Sequence, residues 1–315
     1  MLTLHINVDN LIHNAKLLRS KTTARLCAVV KANAYGHGVQ IVRYLNDYVD
    51  CYAVSSGDEA ISLRQYTCKP ILVLCPSEDV SDNDVIYSAM SERDLIHKRV
   101  CIKINSGMNR LGILPEEYAV FDKKCKKSGA HIDSIYTHFS DVDNAHIQFK
   151  KFAEIKTPYM RHACASNFLH LDKRFHLDMV RCGLALYGYG HPELKPVMSA
   201  STQVYSVIEV KKGEKIGYSL QSDTDMKVAV LGAGYADSIR RGKQKFYING
   251  KVCNTVGNIC MDMCLVNVTD LDVKRGDKAE FLGKNIGGEA VATLNNTIIY
   301  EILTSFGSRC RRIYE

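Results

Sequence analysis

The sequence predicts an α/β protein in two domains, a (β/α)8 barrel over residues 1–193 and a smaller, mainly β domain over 194–315. Three observations carry that expectation. Apolar runs without polar alternation recur through roughly the first 190 residues, separated by helix-like stretches. The texture then changes to short, partly alternating runs broken by turn signals. At 315 residues the chain exceeds one ordinary hydrophobic core and suits a large domain followed by a smaller one.

Val8, Leu11, Ile12, Ala15 and Leu18 stand at helical spacing and make one apolar face, with Asn7 or Asp9 able to cap its start. LCAVV (26–30) is a continuous apolar run of the kind that suits a parallel strand covered on both faces. CYAVSS (51–56) precedes a helical stretch from Asp58, and PILVLC (70–75) precedes a polar segment and another helix. VCIKIN (100–105), IDSIYTHF (132–139), YMRHACAS (159–166) and MVRCGLALYG (179–188) continue the series. These seven runs and a fainter one at Val85–Ala89 would close a compact barrel; an open doubly wound sheet is the alternative that strand counting leaves. Beyond residue 193, Val204–Val210, Met226–Leu231, Lys245–Ile248, Lys251–Val256, Met263–Val268 and Lys278–Leu282 read as strands punctuated by Lys-Gly, Asn-Gly and Arg-Gly-Asp turns.

Composition narrows the function classes. Hydrophobic residues make up 46% and charged residues 24%, as in ordinary globular proteins. The longest apolar runs are far too short to cross a bilayer. MLTLHINVDN has no basic region followed by an apolar one, so no secretory signal is expected and the cytoplasm is the expected compartment. The twelve cysteines are scattered, and many lie inside apolar runs (Cys27, Cys75, Cys101); they read as reduced, buried thiols. No paired C-x-x-C units have zinc spacing, so no metal is expected. The net charge of +7, with clusters at Arg240–Lys245 and Arg309–Arg312, lacks the aromatic interleaving of a nucleic-acid module. Solvated surface, or attraction of small anions, explains it better.

Lys31 follows LCAVV directly, which puts it at a strand's carboxyl end, the catalytic face of a barrel. Asn33, Tyr35 and His37 follow, with glycines at 36 and 38. Position alone leaves Lys31 open between a strand-ending lysine and a reactive amine.

The full string VVKANAYGHG closely resembles the cofactor-lysine motif of the alanine racemase family, two-domain enzymes that use pyridoxal 5′-phosphate (PLP), and matching segments recur in order up to the last ten residues. The resemblance implies a (β/α)8 barrel followed by a β domain, PLP held covalently by Lys31, and a racemase acting on a small amino acid. It also implies a homodimer with composite active sites; composition adds the expectation of no nucleic-acid partner and no membrane segment in this chain. Racemisation needs a second acid/base on the opposite face of the reacting carbon, and the resemblance gives that role to Tyr218 in KIGYSLQS of the partner subunit. By the same resemblance Arg181 in MVRCGLALYG meets the cofactor's pyridine nitrogen. Ser166 of HACAS, the amides of Gly183 and Leu184, and the Tyr35 hydroxyl hold its phosphate.

KINSGMNRLG resembles the family pattern KxDTGMxRxG. Arg110 then binds the substrate carboxylate, and Lys103 is the lysine that relatives often carry carbamylated, here with Asn105 in place of aspartate. His138 in YTHFSD stacks on the cofactor ring or tunes the tyrosine network. GNICMDMC resembles the segment that reaches into the partner's site, where Met261 supplies an amide to the substrate carboxylate and Asp262 orders the loop, while Tyr235 of GAGYADS lines the access side. Near the C-terminus, YEILTSFGSRCRR puts Ser308 where alanine racemases have a tyrosine that contacts phosphate and narrows the pocket.

That departure keeps a serine or broad-specificity racemase beside the alanine reading. PLP-dependent decarboxylases share the fold, but their glycine-rich phosphate segment and cysteine-bearing β-domain motif are not seen. A non-catalytic PLP-binding homeostasis protein, the alternative of another class, resembles an isolated barrel and would lack residues 194–315.

Overall fold

The computed structural model describes residues 1–78, 82–218 and 220–315, which form two compact units. One comprises Asp9–Ala34 and Gly38–Lys195, the other Met1–Val8, Tyr35–His37 and Pro196–Glu315. Met1–Val8 and Tyr35–His37 thus group with the β unit, and the main division falls between Lys195 and Pro196. The first strand, β1 (Thr3–Ile6), pairs antiparallel with β10 (Met198–Val210) and parallel with the last strand, β18 (Arg311–Tyr314). Its alternation is the reason: Leu4 and Ile6 are fully buried while Thr3 and His5 are only partly so, the habit of a strand with one covered face.

The barrel unit closes eight parallel strands in sequence order: β2 (Arg25–Val29), β3 (Cys51–Val54), β4 (Ile71–Val73), β5 (Val85–Ala89), β6 (Arg99–Lys103), β7 (His131–Tyr136), β8 (Met160–Ala165) and β9 (Met179–Cys182). β9 returns to β2, so the open-sheet alternative falls away and Val85–Ala89 is a true barrel strand. Strands β3, β4 and β9 are buried at every residue, which is why their sequences show no alternation. Several crossovers are short 3₁₀ turns, such as Val39–Tyr44 and Glu92–Ile96, and these keep the barrel small.

The helix predicted from residue 8 spans Val8–Ser20 and buries Leu11, Ala15 and Leu18. It also buries Asn14, a residue the apolar pattern passes over. The Asn14 amide donates to the carbonyls of Leu186 (3.0 Å) and Lys195 (2.8 Å) and accepts from the Lys195 amide (2.8 Å). A buried side-chain amide satisfied three times over ties the end of the barrel unit to its first helix.

The β unit is an eight-stranded sheet in the order β13–β16–β15–β14–β17–β10–β1–β18, with a further β13–β10 pairing. A two-residue-strand hairpin stands beside it, β11 (Lys215–Ile216) and β12 (Leu220–Gln221). The remaining strands are β13 (Met226–Leu231), β14 (Lys245–Ile248), β15 (Lys251–Val256), β16 (Cys264–Asn267) and β17 (Lys278–Leu282). Short helices at Gly288–Leu294 and Ile299–Ser305 precede β18. Among the described residues no helix is long and apolar enough to cross a membrane, and all twelve cysteines are unpaired, most of them buried.

Candidate active site

The barrel gathers its chemistry at the carboxyl ends of the strands. Lys31 lies just beyond β2, Lys103 ends β6, His138 lies two residues past β7, Ser166 follows β8, and Arg181 sits within β9. Arg110 is on the loop after β6. Its loop is shaped by Asn105, whose side-chain oxygen accepts from the amides of Gly107 (3.2 Å) and Asn109 (3.0 Å). An aspartate would accept the same two bonds, so the asparagine departure leaves the turn intact.

Arg181 is the best-held group of the site. It is 4% exposed, and its guanidinium donates to His162 Nδ1 (2.6 Å), the Thr137 carbonyl (2.7 Å) and the Ala163 carbonyl (3.1 Å). His138 Nδ1 lies farther off at 3.5 Å. Because Nδ1 of His162 accepts from a permanent cation, its proton resides on Nε2, which faces Ser134 Oγ (3.1 Å) and Cys101 Sγ (3.4 Å). Burial and then the Arg181 charge hold His162 well below the usual histidine range. Tyr136 completes the arrangement: it stacks on His162 at 5.1 Å, and both Lys103 (5.1 Å) and Arg181 (5.2 Å) lie over its ring. Sequence reading missed His162 and Tyr136. A histidine at the head of the otherwise apolar run HACA was the available signal for His162, and nothing marked Tyr136.

The mouth is a concentration of positive charge. Burial first, then Arg181, Arg110, Lys103 and Lys31, pushes His138 down to about 3, so its imidazole is neutral at any working pH. Burial, Arg110 and Arg181 lower Lys103 to about 8, which leaves a fraction of its amine unprotonated near neutrality. Among the described residues, none of Lys31, Lys103, Arg110 and Arg181 is ion-paired with a carboxylate. Four cations acting on one neutral histidine without an acid to balance them make a site for anions. Beside them, Ser166 Oγ accepts from the amides of Gly183 (3.0 Å) and Ala185 (3.2 Å), bracketing Leu184 where Gly183 and Leu184 were expected. No group of three or more His, Cys, Asp or Glu among the described residues could hold a metal.

The turn after Lys31 is strained. Ala32, Asn33, Ala34 and Tyr35 all have φ between 51° and 53°, a left-handed turn that costs L-residues about 1–2 kcal/mol each. Glu59 stabilises its start by accepting from the Ala32 amide (2.7 Å), and Asn33 its exit by accepting from the Val39 amide (2.8 Å). Such a run persists only where its surroundings over-determine it, and such places cluster at functional sites.

The β unit brings Tyr218, Tyr235, Met261 and Asp262 to connected loops. The amides of Tyr235 and Ala236 donate to the carbonyls of Cys260 and Met261, both at 3.0 Å. Gly257 (φ +66°) opens the same segment; a Cβ there would lie 3.3 Å from the Ile216 carbonyl and 3.8 Å from Leu220 Cβ, on the hairpin that carries Tyr218. Arg309 pairs with the buried Asp237 (3.2 Å) and with Asp262, fixing the second loop from the side of Ser308, which is exposed. The side chains of this cluster face outward: Tyr218 is 80% exposed, Met261 52% and Tyr235 45%. Tyr35 counts with this unit, where burial, and secondarily Tyr300, raises its phenol well above the ordinary value.

An eight-stranded barrel with a cation-lined mouth, joined to a β unit presenting aromatic loops, defines a class of barrel enzymes that handle small anionic molecules. Family models for the alanine racemase N-terminal domain and the alanine racemase C-terminal domain match residues 6–192 and 197–314. The chain therefore belongs to the alanine racemase family. Alanine racemases of Treponema pallidum and Thermodesulfovibrio yellowstonii are 33% and 32% identical to it, each over 98% of this chain and over 98% and 96% of their own lengths. Among solved structures, the Bacillus anthracis alanine racemase with bound L-Ala-P superimposes with a TM-score of 0.92 (26% identity, 100% of this chain and 95% of that one). The Bartonella henselae enzyme with covalently bound pyridoxal phosphate gives 0.89 (29% identity, 100% and 99%).

Proposed function

We propose that the protein is a PLP-dependent racemase that interconverts L- and D-alanine as a cytoplasmic homodimer. The observation that carries the reading is the set of unbalanced cations at the barrel mouth beside a lysine held on a strained turn. The residues fit the cofactor. Lys31 would hold it covalently, and Ser166, the amides of Gly183 and Leu184, and the Tyr35 hydroxyl would take its phosphate. Arg181 would face its ring nitrogen. When bound, PLP withdraws electron density from the substrate Cα and makes its proton acidic.

The chain's own groups do the rest. Arg181 keeps its charge and is oriented by His162, Thr137 and Ala163, so it would face the ring nitrogen as a permanent cation and favour its unprotonated form. That placement would limit side reactions such as transamination. Arg110 binds the substrate carboxylate with a planar guanidinium, assisted by the Met261 amide of the partner subunit, on a loop that Asp262 orders and with Tyr235 on the entry side. Lys103, partly neutral, is able to react with carbon dioxide, and its carbamate would turn a cation into an anion beside Arg110. Neutral His138 presents its ring without adding a further charge.

Lys31 takes or returns the Cα proton on one face, and Tyr218 of the partner subunit does so on the other. The exposure of Tyr218 supports a role on a second copy. A substrate panel with chiral product analysis on the PLP-loaded protein tests the reading. Alanine racemisation is expected, and cofactor binding without turnover of any amino acid would sink it.

Ser308 favours a second reading, a racemase that also accepts serine. Its short hydroxyl replaces the tyrosine of relatives and leaves a roomier, more polar pocket. Measurable L-serine turnover is expected; a preference for alanine above about a thousandfold in kcat/KM, roughly 4 kcal/mol, would rule it out.

A further inference from the structure

Arg312 on β18 has no task in the mechanism above, yet it is among the most heavily bonded side chains of the β unit. Its Nε donates to the Gly36 carbonyl (2.8 Å), Nη1 to the carbonyls of Gly307 (3.1 Å) and Cys310 (3.2 Å), and Nη2 to that of Phe306 (2.6 Å). Among the described residues it makes no ion pair with a carboxylate. A guanidinium held entirely by peptide carbonyls acts on backbone geometry. It joins two segments: residues 306–310, which contain Ser308, and Tyr35–His37, which begins four residues after Lys31.

The same strand grips the second segment again, through the Tyr314 hydroxyl donating to the His37 carbonyl (3.0 Å). Gly36 has φ +78°, and a Cβ there would lie 2.0 Å from the Leu303 carbonyl oxygen, so the segment is seated with no room for a side chain. The chain enters it through the left-handed turn of Ala32–Tyr35, a conformation that needs external restraint.

We propose that Arg312 is a positioning residue for the cofactor loop. Its bond to Gly36 fixes Tyr35 and, through the strained turn, limits where the Lys31 amine is held. Its three other bonds set the Ser308 loop in the same frame. The assignment rests on the PLP reading above. A lysine cannot replace the guanidinium, because one ammonium nitrogen cannot span four carbonyls in two segments.

The test titrates cofactor-free protein with PLP, followed by visible absorbance and equilibrium dialysis, for wild type, Arg312→Ala, Arg312→Lys and Gln244→Ala. Gln244 is a buried polar residue of the same unit, bonded to the Arg240 carbonyl and Asn295, and it controls for general loosening. Arg312→Ala is expected to raise the PLP Kd at least about tenfold at 25 °C and to open residues 31–39 to limited proteolysis. Arg312→Lys should not rescue the affinity, and Gln244→Ala should lower Tm while keeping the wild-type Kd. Should Arg312→Ala fail to fold, Tyr314→Phe removes the hydroxyl's bond to the His37 carbonyl and is expected to weaken PLP binding about two- to fivefold. Wild-type PLP affinity in a folded Arg312→Ala, or in Tyr314→Phe if the alanine variant is unfolded, would overturn the assignment. A wild-type protein that binds no PLP would instead defeat the cofactor reading and this assignment with it.

Discussion

The two units build their functional residues in opposite ways. In the barrel, Arg181 is buried, bonded to three acceptors and stacked on Tyr136, and its neighbours His162 and Lys103 are displaced from their ordinary pKa by burial and by charge. In the β unit, Tyr218, Tyr235 and Met261 stand on loops whose backbones are bonded to one another while their side chains face outward. The barrel groups are preorganised within one chain. The β-unit groups present an exposed surface. Electrostatic effects are strong where water is excluded and weak where it is not, so perturbation belongs to the first set and contact to the second.

That contrast predicts a dissociation between stability and activity. Tyr218→Phe should cut racemisation about 10²- to 10⁴-fold, the usual worth of a general acid/base, while leaving Tm and the bound cofactor's visible absorption unchanged. Full activity in this variant would remove Tyr218 from the mechanism. Arg181→Ala should do the converse and lower stability itself. It deprives His162 Nδ1 and the Thr137 and Ala163 carbonyls of their donor and leaves a cavity; relief of repulsion with Lys103 and Arg110 offsets part of the cost. A net loss of roughly 2 kcal/mol or more is expected by denaturant titration. An Arg181→Ala protein as stable as wild type would show that the barrel mouth is not preorganised as described.

Legibility in the sequence follows the same divide. Barrel strands declared themselves because strands buried on both faces lose their alternation, and β3 and β4 did so over their whole length. Thr3–Ile6 went unassigned because four residues carry too little periodicity, and its partners lie roughly 200 and 300 residues away. Lys31, Arg110, Arg181 and Tyr218 are singled out by motif resemblance. Their positions alone left a strand-end lysine and a β-strand tyrosine undecided. Tyr136 and the bonding role of Arg312 carried no signal in the sequence, and His162 only a faint one. What distinguishes them is the register of β8 against β9 and the convergence of Gly36 with residues 306–310, both long-range facts.

Titration separates the units further. His138 and His162 have folded-state pKa values below the unfolded value of about 6.5. Between that pH and about 3 the unfolded chain binds more protons, so stability should fall as pH falls through this window. Lys103 behaves alike at the alkaline end: lowered to about 8, it should let stability rise as pH rises from about 8 towards its unfolded value near 10.5. Lys103→Met, compared in buffer free of carbon dioxide, should abolish the alkaline rise and gain on the order of 1–2 kcal/mol at pH 7, because an unpaired buried charge is removed. Persistence of the rise in Lys103→Met would assign it to another group.

The smallest expected effect concerns Ser308, which is exposed on the β-unit side and should therefore influence contact without perturbing the interior. Ser308→Tyr introduces the bulk that the family resemblance leads one to expect at this position. The neighbouring Arg309, paired with Asp237 and Asp262, keeps the loop in place, so the substitution should leave Tm within a degree or two. A narrower pocket discriminates by excluding one extra hydroxymethyl oxygen, and a purely steric distinction of that size is worth about 1–3 kcal/mol. The alanine-to-serine ratio of kcat/KM should accordingly rise about tenfold, chiefly through loss of serine turnover. An unchanged ratio would mean that Ser308 does not border the substrate, and specificity would then lie with the barrel groups alone.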